Sequence, residues 1–181
     1  MAAASCVQKP ICGCTIADEN VFSSQFFAPY QAAIETALEI LCHARKWMSG
    51  PCDVRAVTFR LKSPASICGK LLKKHLPVTQ ACAHLALQDI AGLRVVLDST
   101  QSVYRFATLL RSSPALELIE EHDYIANPKE SGYRSLYLII RVPVTVHNQL
   151  YMIPAEIQLR TSSMDIWASI EHDLIYKPVR N

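Results

Sequence analysis

The chain has 181 residues, of which 50% are hydrophobic and 19% are charged, and its 18 basic and 16 acidic residues give a net charge of +2. This composition is typical of a globular protein and excludes a disordered chain or one that coats nucleic acid. The first residues lack the basic and apolar segments of a signal peptide, and no apolar run approaches the ~20 residues that span a bilayer. We therefore expect a cytoplasmic protein without a membrane partner. We also expect one domain over residues 21–181, after a flexible lead-in over residues 1–20.

The first half of the chain alternates between helical and strand periodicity. Pro29 suits the first turn of a helix, and Ser63-Pro64 is typical of an N-cap followed by the first helical residue. In chain order, the pattern predicts a helix from Pro29 to the Gly50-Pro51 pair, a strand over Val54–Lys62, a helix from Ser63 to Leu76, and a strand over Asp89–Asp98.

The second half of the chain continues the mixture of helices and strands. In chain order, the pattern predicts a helix over 103–110, a helix that starts within 116–119 and ends near Asp123, strands over Leu136–Val146 and Tyr151–Thr161, and a helix over Ser162–Tyr176. On the last helix, Met164, Trp167 and Ala168 share one side, where we expect them to pack in the core. Together these elements predict an α/β (α+β) fold, with a single mixed β-sheet of about five strands flanked by helices.

The segment Pro154–Thr161 combines strand alternation with an unusual row of polar residues. In a strand, Glu156, Gln158 and Arg160 project from one face and the apolar residues between them project from the other. An edge strand exposed to solvent could carry the same row. Asp89, however, also stands at the head of an apolar run, and basic residues crowd the loop over 127–135. Two carboxylates on strands, together with basic loops, indicate a divalent metal and phosphate groups.

Five segments, in this order, closely resemble the synthetase domain of the RelA/SpoT family. They read RLKSPASICGK (Arg60–Lys70), DIAGLR (Asp89–Arg94), DYIANPKESGYRSLY (Asp123–Tyr137), EIQLRT (Glu156–Thr161) and MDIWASIEH (Met164–His172). Any one of these motifs would be weak, but five in the same order are specific. The similarity covers roughly residues 22–177. Within the family the chain resembles a small alarmone synthetase with a nucleotidyltransferase-like fold.

The resemblance implies a GTP pyrophosphokinase, also called a GTP diphosphokinase, which acts in the stringent response. Such an enzyme uses ATP and GDP or GTP as substrates and needs no nucleic-acid partner. It transfers the β,γ-pyrophosphoryl group of ATP to the ribose 3′-hydroxyl of the guanosine nucleotide and makes ppGpp or pppGpp. Asp89 and Glu156 would be the catalytic residues and would bind Mg²⁺ as cofactor. Glu156 would also activate or orient the 3′-hydroxyl.

The resemblance also implies two nucleotide sites. The ATP-binding residues would be Arg60, Lys62, Ser66, Lys70 and Arg94. The acceptor-binding residues would be Lys129, Tyr133, Arg134, Tyr137, Gln158 and Arg160. Tyr133 would stack on guanine, and Gly132 would let the backbone bend beside it.

The chain departs from the common family pattern at two positions, one in the loop over 127–135, which we call the acceptor loop, and one just after it. Ser131 replaces an asparagine and Tyr137 replaces a histidine, so a side chain that can become cationic gives way to a hydroxyl. Two alternatives therefore stay open: a toxin-type relative that modifies adenosine nucleotides or the 3′ end of tRNA, and a catalytically silent nucleotide-binding module. Small synthetases usually continue with helices that build a tetramer, whereas this chain reaches only Asn181. The oligomeric state is open as well, with a homo-oligomer among the alternatives.

Overall fold

The computed structural model describes residues 21–48, 53–146 and 148–176, with side chains described up to residue 171. Its contacts group into two compact units. The first has described residues 21–27 and 62–87, and the second begins at 28 and takes in the remaining described residues. The single domain expected from the sequence stays a prediction, and the predicted lead-in over residues 1–20 lies outside the described part. Each helix among the described residues is too short or too polar to span a bilayer.

The described chain contains five helices and five strands. The helices are α1 (Ser24–Lys46), α2 (Pro64–Lys73), α3 (Gln80–Ala86), α4 (Thr100–Arg111) and α5 (Ser162–Tyr176). The strands are β1 (Val54–Leu61), β2 (Ala91–Leu97), β3 (Glu117–Asp123), β4 (Leu136–Val146) and β5 (Gln149–Thr161). The strands form one sheet in the order β1-β2-β5-β4-β3, with β2 and β5 parallel and the other neighbours antiparallel. The predicted mixed five-stranded sheet with flanking helices is confirmed.

One face of the sheet carries the core of the second unit. On β5 the apolar residues Ala155, Ile157 and Leu159 are fully or almost fully buried. They pair in register with apolar residues of β2 and with buried residues of β4. Helix α4 contacts β2 and β5 and buries residues at helical spacing: Val103, Phe106, Ala107 and Leu110. This apolar face fixes β5 in the centre of the sheet and so aims its alternate residues to the opposite side.

The first unit contains helices α2 and α3. The Ser63 hydroxyl accepts a hydrogen bond from the backbone N–H of Ser66 at 3.3 Å, and Pro64 follows as the first helical residue, as predicted. Helix α3 was not predicted from the sequence. It is capped by Thr79, whose hydroxyl accepts from the N–H of Cys82 at 3.1 Å. With only seven residues and one buried side chain, α3 leaves too weak an apolar period to detect.

The helix predicted to end near Asp123 is wrong, because residues 117–123 form strand β3. Glu and Leu favour a helix locally, but β3 pairs antiparallel with β4 over its whole length. β3 is an edge strand, and its exposed acidic residues are typical of edges that avoid pairing with other chains. Tertiary pairing therefore overrides the local preference here.

The predicted start of the first helix is also wrong. Helix α1 begins at Ser24, and Pro29 lies inside it rather than in its first turn. The buried residue Phe26 extends the helical apolar spacing backwards from Tyr30. This burial outweighs the single hydrogen bond that Pro29 cannot donate. The helix ends at Lys46, and the predicted Gly50-Pro51 stop lies outside the described residues.

Candidate active site

The second face of the sheet carries the predicted polar row. Arg60 of β1 is paired with Gly92 of β2, which is paired with Glu156 of β5. In the next row, Arg94 of β2 is paired with Gln158 of β5. Since paired residues and alternate residues along a strand share a face, these side chains lie on one side of the sheet. We call this the polar face, and it comprises Arg60, Arg94, Tyr137, Glu156, Gln158 and Arg160.

A chain of hydrogen bonds runs along β5 on the polar face. Gln158 donates from Nε2 to Oε1 of Glu156 at 2.6 Å and accepts at Oε1 from Nη2 of Arg160 at 2.8 Å. The same Oε1 accepts from Nε of Arg94 at 3.4 Å. The amide of Gln158 therefore holds a carboxylate on one side and two guanidinium groups on the other, which fixes the orientation of all four side chains.

Arg160 is only 4% exposed, and a buried cation needs partners for its donors. Its Nε donates to the Ser135 hydroxyl at 3.4 Å and its Nη1 to Oδ1 of Asp165 at 3.2 Å. Its Nη2 donates to the hydroxyl of Tyr133 as well as to Gln158. The guanidinium carbon also lies 5.1 Å from the centre of the Tyr133 ring. Arg160 is thus held rigidly between the strand, the loop and α5.

Asp165 is a member of this network that sequence reasoning missed. Its Oδ1 lies 3.1 Å from Nη1 of Arg94, in addition to its contact with Arg160. Burial lowers the pKa of Arg94, and the charge of Arg160 lowers this pKa further, whereas the Asp165 carboxylate acts in the opposite direction. The available signal was an acidic residue in the first turn of a predicted helix, a position that is also common for purely local reasons.

An aromatic cluster borders the network on the acceptor-loop side. Tyr124, Tyr133 and Tyr137 meet edge to face, with ring centres 5.5 to 6.4 Å apart. Nζ of Lys129 lies 4.6 Å from the centre of the Tyr124 ring and 4.9 Å from that of Tyr133. Tyr124 was another residue that the sequence did not single out. Tyr133, whose ring is predicted to stack on a base, is only 6% exposed and is surrounded by Lys129, Arg160 and the other two tyrosines.

The loop that presents Tyr133 is closed by its own backbone. The N–H of Gly132 donates to the carbonyl of Lys129 at 2.8 Å, and the N–H of Lys129 donates to the carbonyl of Tyr133 at 3.2 Å. Gly132 has a φ of 80°, which a residue with a side chain rarely adopts, so the predicted bend at this glycine is confirmed. A Cβ at Gly132 would also lie 3.9 Å from the ring of Trp167.

Tyr137, the residue that replaces the family histidine, is hydrogen-bonded through its hydroxyl to the hydroxyl of Tyr133. Burial raises the pKa of Tyr137 far above its ordinary value, and the neighbouring Tyr133 raises it further. Tyr137 therefore stays neutral at physiological pH. It offers the acceptor side a hydroxyl that is already engaged within the protein.

The remaining predicted site residues lie on other parts of the chain. Asp89 lies two residues before β2, and its Oδ1 is buried. Arg134 is exposed in the acceptor loop. The other three belong to the first unit: Lys62 just before α2, and Ser66 and Lys70 on that helix. Ser66 accepts at its hydroxyl from the Ser63 hydroxyl at 2.8 Å.

One prediction about α5 needs correction. Ala168 is buried and Met164 is half-buried, but Trp167 is 47% exposed and does not pack in the core. Its ring lies beside Gly132 of the acceptor loop instead. Helical spacing placed Trp167 on the same side as Ala168, but spacing alone does not reveal where the core ends along that side.

Comparison with known proteins places the chain in a family. Residues 59–181 match the family model described as a region found in RelA/SpoT proteins. The chain belongs to the RelA/SpoT family. The membership predicted from the five motifs is thereby confirmed.

Two curated RelA/SpoT relatives come from Bacillus subtilis (strain 168). The GTP pyrophosphokinase YwaC is 36% identical over 145 residues, which cover 80% of this chain and 69% of YwaC. The GTP pyrophosphokinase YjbM is 34% identical over 157 residues, which cover 84% of this chain and 72% of YjbM. This RelA/SpoT chain thus spans about seven tenths of each relative.

Solved structures of similar proteins share the fold of this RelA/SpoT chain. The small alarmone synthetase 1 from Bacillus subtilis, bound to its product pppGpp, superposes with a TM-score of 0.75 at 32% identity, covering 87% of this chain and 81% of that one. A GTP pyrophosphokinase family protein from Streptococcus pneumoniae gives a TM-score of 0.74 at 34% identity, covering 90% and 78% of the two chains.

Proposed function

We propose that this chain is a GTP pyrophosphokinase that transfers the β,γ-pyrophosphoryl group of ATP to the 3′-hydroxyl of GDP or GTP. The observation that carries this proposal is the hydrogen-bonded row of Glu156, Gln158 and Arg160 on the polar face, joined to Arg94 of the neighbouring strand. It places a carboxylate beside fixed cations, as transfer between two polyphosphates requires. Relatives at 34–36% identity are named as GTP pyrophosphokinases, and a similar solved structure holds pppGpp as its product.

In the proposed reaction, the 3′-oxygen of the acceptor attacks the β-phosphorus of ATP. The bond between this phosphorus and the oxygen that bridges it to the α-phosphate breaks, so that AMP leaves and GDP becomes ppGpp, or GTP becomes pppGpp. The hydroxyl loses its proton, for which Glu156 is the proposed acceptor. Because the 2.6 Å hydrogen bond from Gln158 engages Oε1, it orients the Glu156 carboxylate for this role.

Asp89 and Glu156 are the residues that would hold Mg²⁺. No group of three or more possible ligands among His, Cys, Asp and Glu lies together in the described part of the chain. Mg²⁺ needs no larger group, since this ion commonly takes one or two protein carboxylates and completes its shell with nucleotide phosphates and water. The buried Oδ1 of Asp89 suits a ligand held away from solvent. When bound, the ion would neutralise charge on the phosphates.

The proposed division of the polar face assigns arginines to both substrates. Arg60 and Arg94 would serve ATP through phosphate contacts and stacking on adenine. Arg160, Gln158 and Tyr133 would serve the acceptor. Lys62, Ser66 and Lys70 are proposed for the ATP phosphates, and Lys129, Arg134 and Tyr137 for the acceptor, on the family motif.

The other acceptors predicted from Ser131 and Tyr137 are adenosine nucleotides and the tRNA 3′ end. They are not favoured, because the relatives described above are named for GTP. A silent nucleotide-binding module is not favoured either, since the chain keeps Glu156, Gln158 and Arg160 joined in one network. We propose a cytoplasmic location, with nucleotides as the substrates and no nucleic-acid partner.

The deciding experiment incubates the purified protein with γ-labelled ATP and, in separate reactions, GDP, GTP, AMP, ADP, ATP and deacylated tRNA. Label is expected in ppGpp and pppGpp, with unlabelled AMP released in equal amount. The Glu156→Gln variant serves as the matched control and should give no labelled product. Label in tRNA or adenosine products, with none in GDP or GTP products, would overturn the proposed acceptor while leaving the donor chemistry in place.

A further inference from the structure

Asp165 contacts two arginines of the polar face, but the roles that the family motifs assign do not include it. It lies in the first turn of α5, where a carboxylate is favoured by the helix dipole alone. That explanation accounts for an acidic residue at this position but not for the direction of its side chain. A single oxygen, Oδ1, lies 3.1 Å from Nη1 of Arg94 and 3.2 Å from Nη1 of Arg160.

The two arginines come from different strands and have different proposed substrates. Arg94 lies on β2 and is paired with Gln158 of β5, and Arg160 lies two residues beyond Gln158, in the next row on the same face. Without a shared anion, two partly desolvated guanidinium groups this close would repel each other. Gln158 accepts from both, but its amide oxygen carries no net charge. Asp165 is the negative charge that both arginines contact.

We propose that Asp165 is a positioning residue that holds Arg94 and Arg160 side by side and thereby couples ATP binding to acceptor binding. This inference rests on the proposed function, which assigns Arg94 to ATP and Arg160 to the acceptor. Asp165 touches neither nucleotide in this scheme. It acts through the two arginines, whose spacing sets the distance between the donor and acceptor sides.

The surroundings support a role in spacing rather than in simple charge balance. Arg160 is nearly fully buried and already held by Ser135, Gln158 and Tyr133, so it cannot follow Arg94 if the shared contact is lost. Arg94 is more exposed, with 32% of its side chain accessible. Loss of the Asp165 charge should therefore let Arg94 move first. Arg160 would stay buried without a carboxylate to balance its positive charge.

The test measures nucleotide affinity by calorimetry, which needs no turnover. The Asp165→Asn variant keeps the size of the side chain and removes its charge. We expect its affinities for a non-hydrolysable ATP analogue and for GDP to fall by about tenfold each. The reason is that Arg94 and Arg160 each lose a charged hydrogen-bond partner that holds them in position. The matched control is Glu121→Gln, which removes a carboxylate that pairs with Arg111 through two hydrogen bonds of 2.6 and 2.9 Å on the edge strand. It should leave both affinities unchanged.

Double variants separate positioning from general destabilisation. If Asp165 acts through the arginines, Asp165→Asn should cause no further loss of ATP-analogue affinity in an Arg94→Gln background, and no further loss of GDP affinity in an Arg160→Gln background, because glutamine removes the positive charge. Equal losses in every background would reduce Asp165 to a structural residue and overturn the proposal. Unchanged affinities in Asp165→Asn alone would overturn it as well.

The outcome can be told apart from a failure of the proposed function. A wild-type protein that binds both nucleotides but transfers no label to GDP or GTP contradicts the proposed reaction, and the affinity comparison still tests Asp165. A wild-type protein that binds neither nucleotide contradicts both proposals. An active enzyme whose Asp165→Asn variant keeps both affinities contradicts only the positioning role.

Discussion

The two faces of strand β5 are almost equally buried and yet chemically opposite. Ile157 and Leu159 on the apolar face are 1% and 0% exposed, and Gln158 and Arg160 on the polar face are 8% and 4% exposed. The apolar side chains gain stability from burial itself. The polar side chains lose hydration on burial, and only their mutual hydrogen bonds offset that loss.

This difference shows where the strand serves the fold and where it serves a site. An apolar pair in place of Gln158 and Arg160 would fill the same space without needing a network of partners. The chain instead joins three elements through Arg160: β5 itself, the acceptor loop through Tyr133 and Ser135, and α5 through Asp165. Such a buried, fully connected cation is poorly explained by stability alone, since ion pairs of this kind often contribute little to it.

The largest expected effects come from one substitution on each face of β5, one of which should abolish activity and the other lower stability. Glu156→Gln should abolish pyrophosphoryl transfer and leave ATP affinity within about a few fold, because the lost charge acts on the acceptor hydroxyl and the proposed metal. Ile157→Ala should instead lower the free energy of unfolding by about 2 to 5 kcal/mol, since this side chain is fully buried. Transfer assays and chemical denaturation of both variants check this, and exchanged phenotypes would contradict the assignment of the faces.

Asp89 is the proposed catalytic residue that lies outside β5, two residues before β2. Its substitution tests whether a residue outside that strand takes part in catalysis. Asp89→Asn should raise the barrier by on the order of 3 kcal/mol, or about a hundredfold in rate, because an amide cannot supply the charge that Mg²⁺ requires. The fold should survive, as thermal unfolding of the purified variant can check. Near-normal synthesis by this variant would contradict its role as a metal ligand.

Tyr133 links the polar face to the acceptor loop through both its ring and its hydroxyl. Tyr133→Ala should weaken acceptor binding by about tenfold to hundredfold, the usual worth of base stacking on an aromatic ring, and leave ATP binding little changed. Tyr133→Phe is the matched variant, because it keeps the ring and loses only the hydrogen bonds of the hydroxyl with Arg160 and Tyr137. Acceptor titrations distinguish the two, and equal losses in both would mean that the hydroxyl network matters more than stacking.

The smallest expected effect concerns Tyr137, where the chain departs from the family pattern. Tyr137→His should keep or raise ppGpp synthesis and leave the ranking of acceptors unaltered if tyrosine is a tolerated replacement. The labelled-acceptor panel measures this ranking for both proteins. A shift of activity towards GDP and GTP, from a wild type that uses them poorly, would mean that Tyr137 marks a changed specificity.

The central elements could be predicted from the sequence because local and long-range preferences agree there. The alternation along β5 and the Ser63-Pro64 start of α2 were both confirmed. Strand β3 and the start of α1 could not be predicted, because strand pairing in one case and the burial of Phe26 in the other overrode local signals. Asp165 and Tyr124 were missed because single acidic or aromatic residues carry no signal without their neighbours in space.

Motif order and periodicity, which can be read along the chain, establish the family, the mixed sheet and the alternation that puts Glu156, Gln158 and Arg160 on one face. The structure adds that Gln158 and Arg160 on this face are buried, that Arg94 reaches them from β2, and that Asp165 contacts both arginines. These features depend on the register between strands and on the path of α5. Both are set by packing between residues far apart in sequence, which no local pattern encodes.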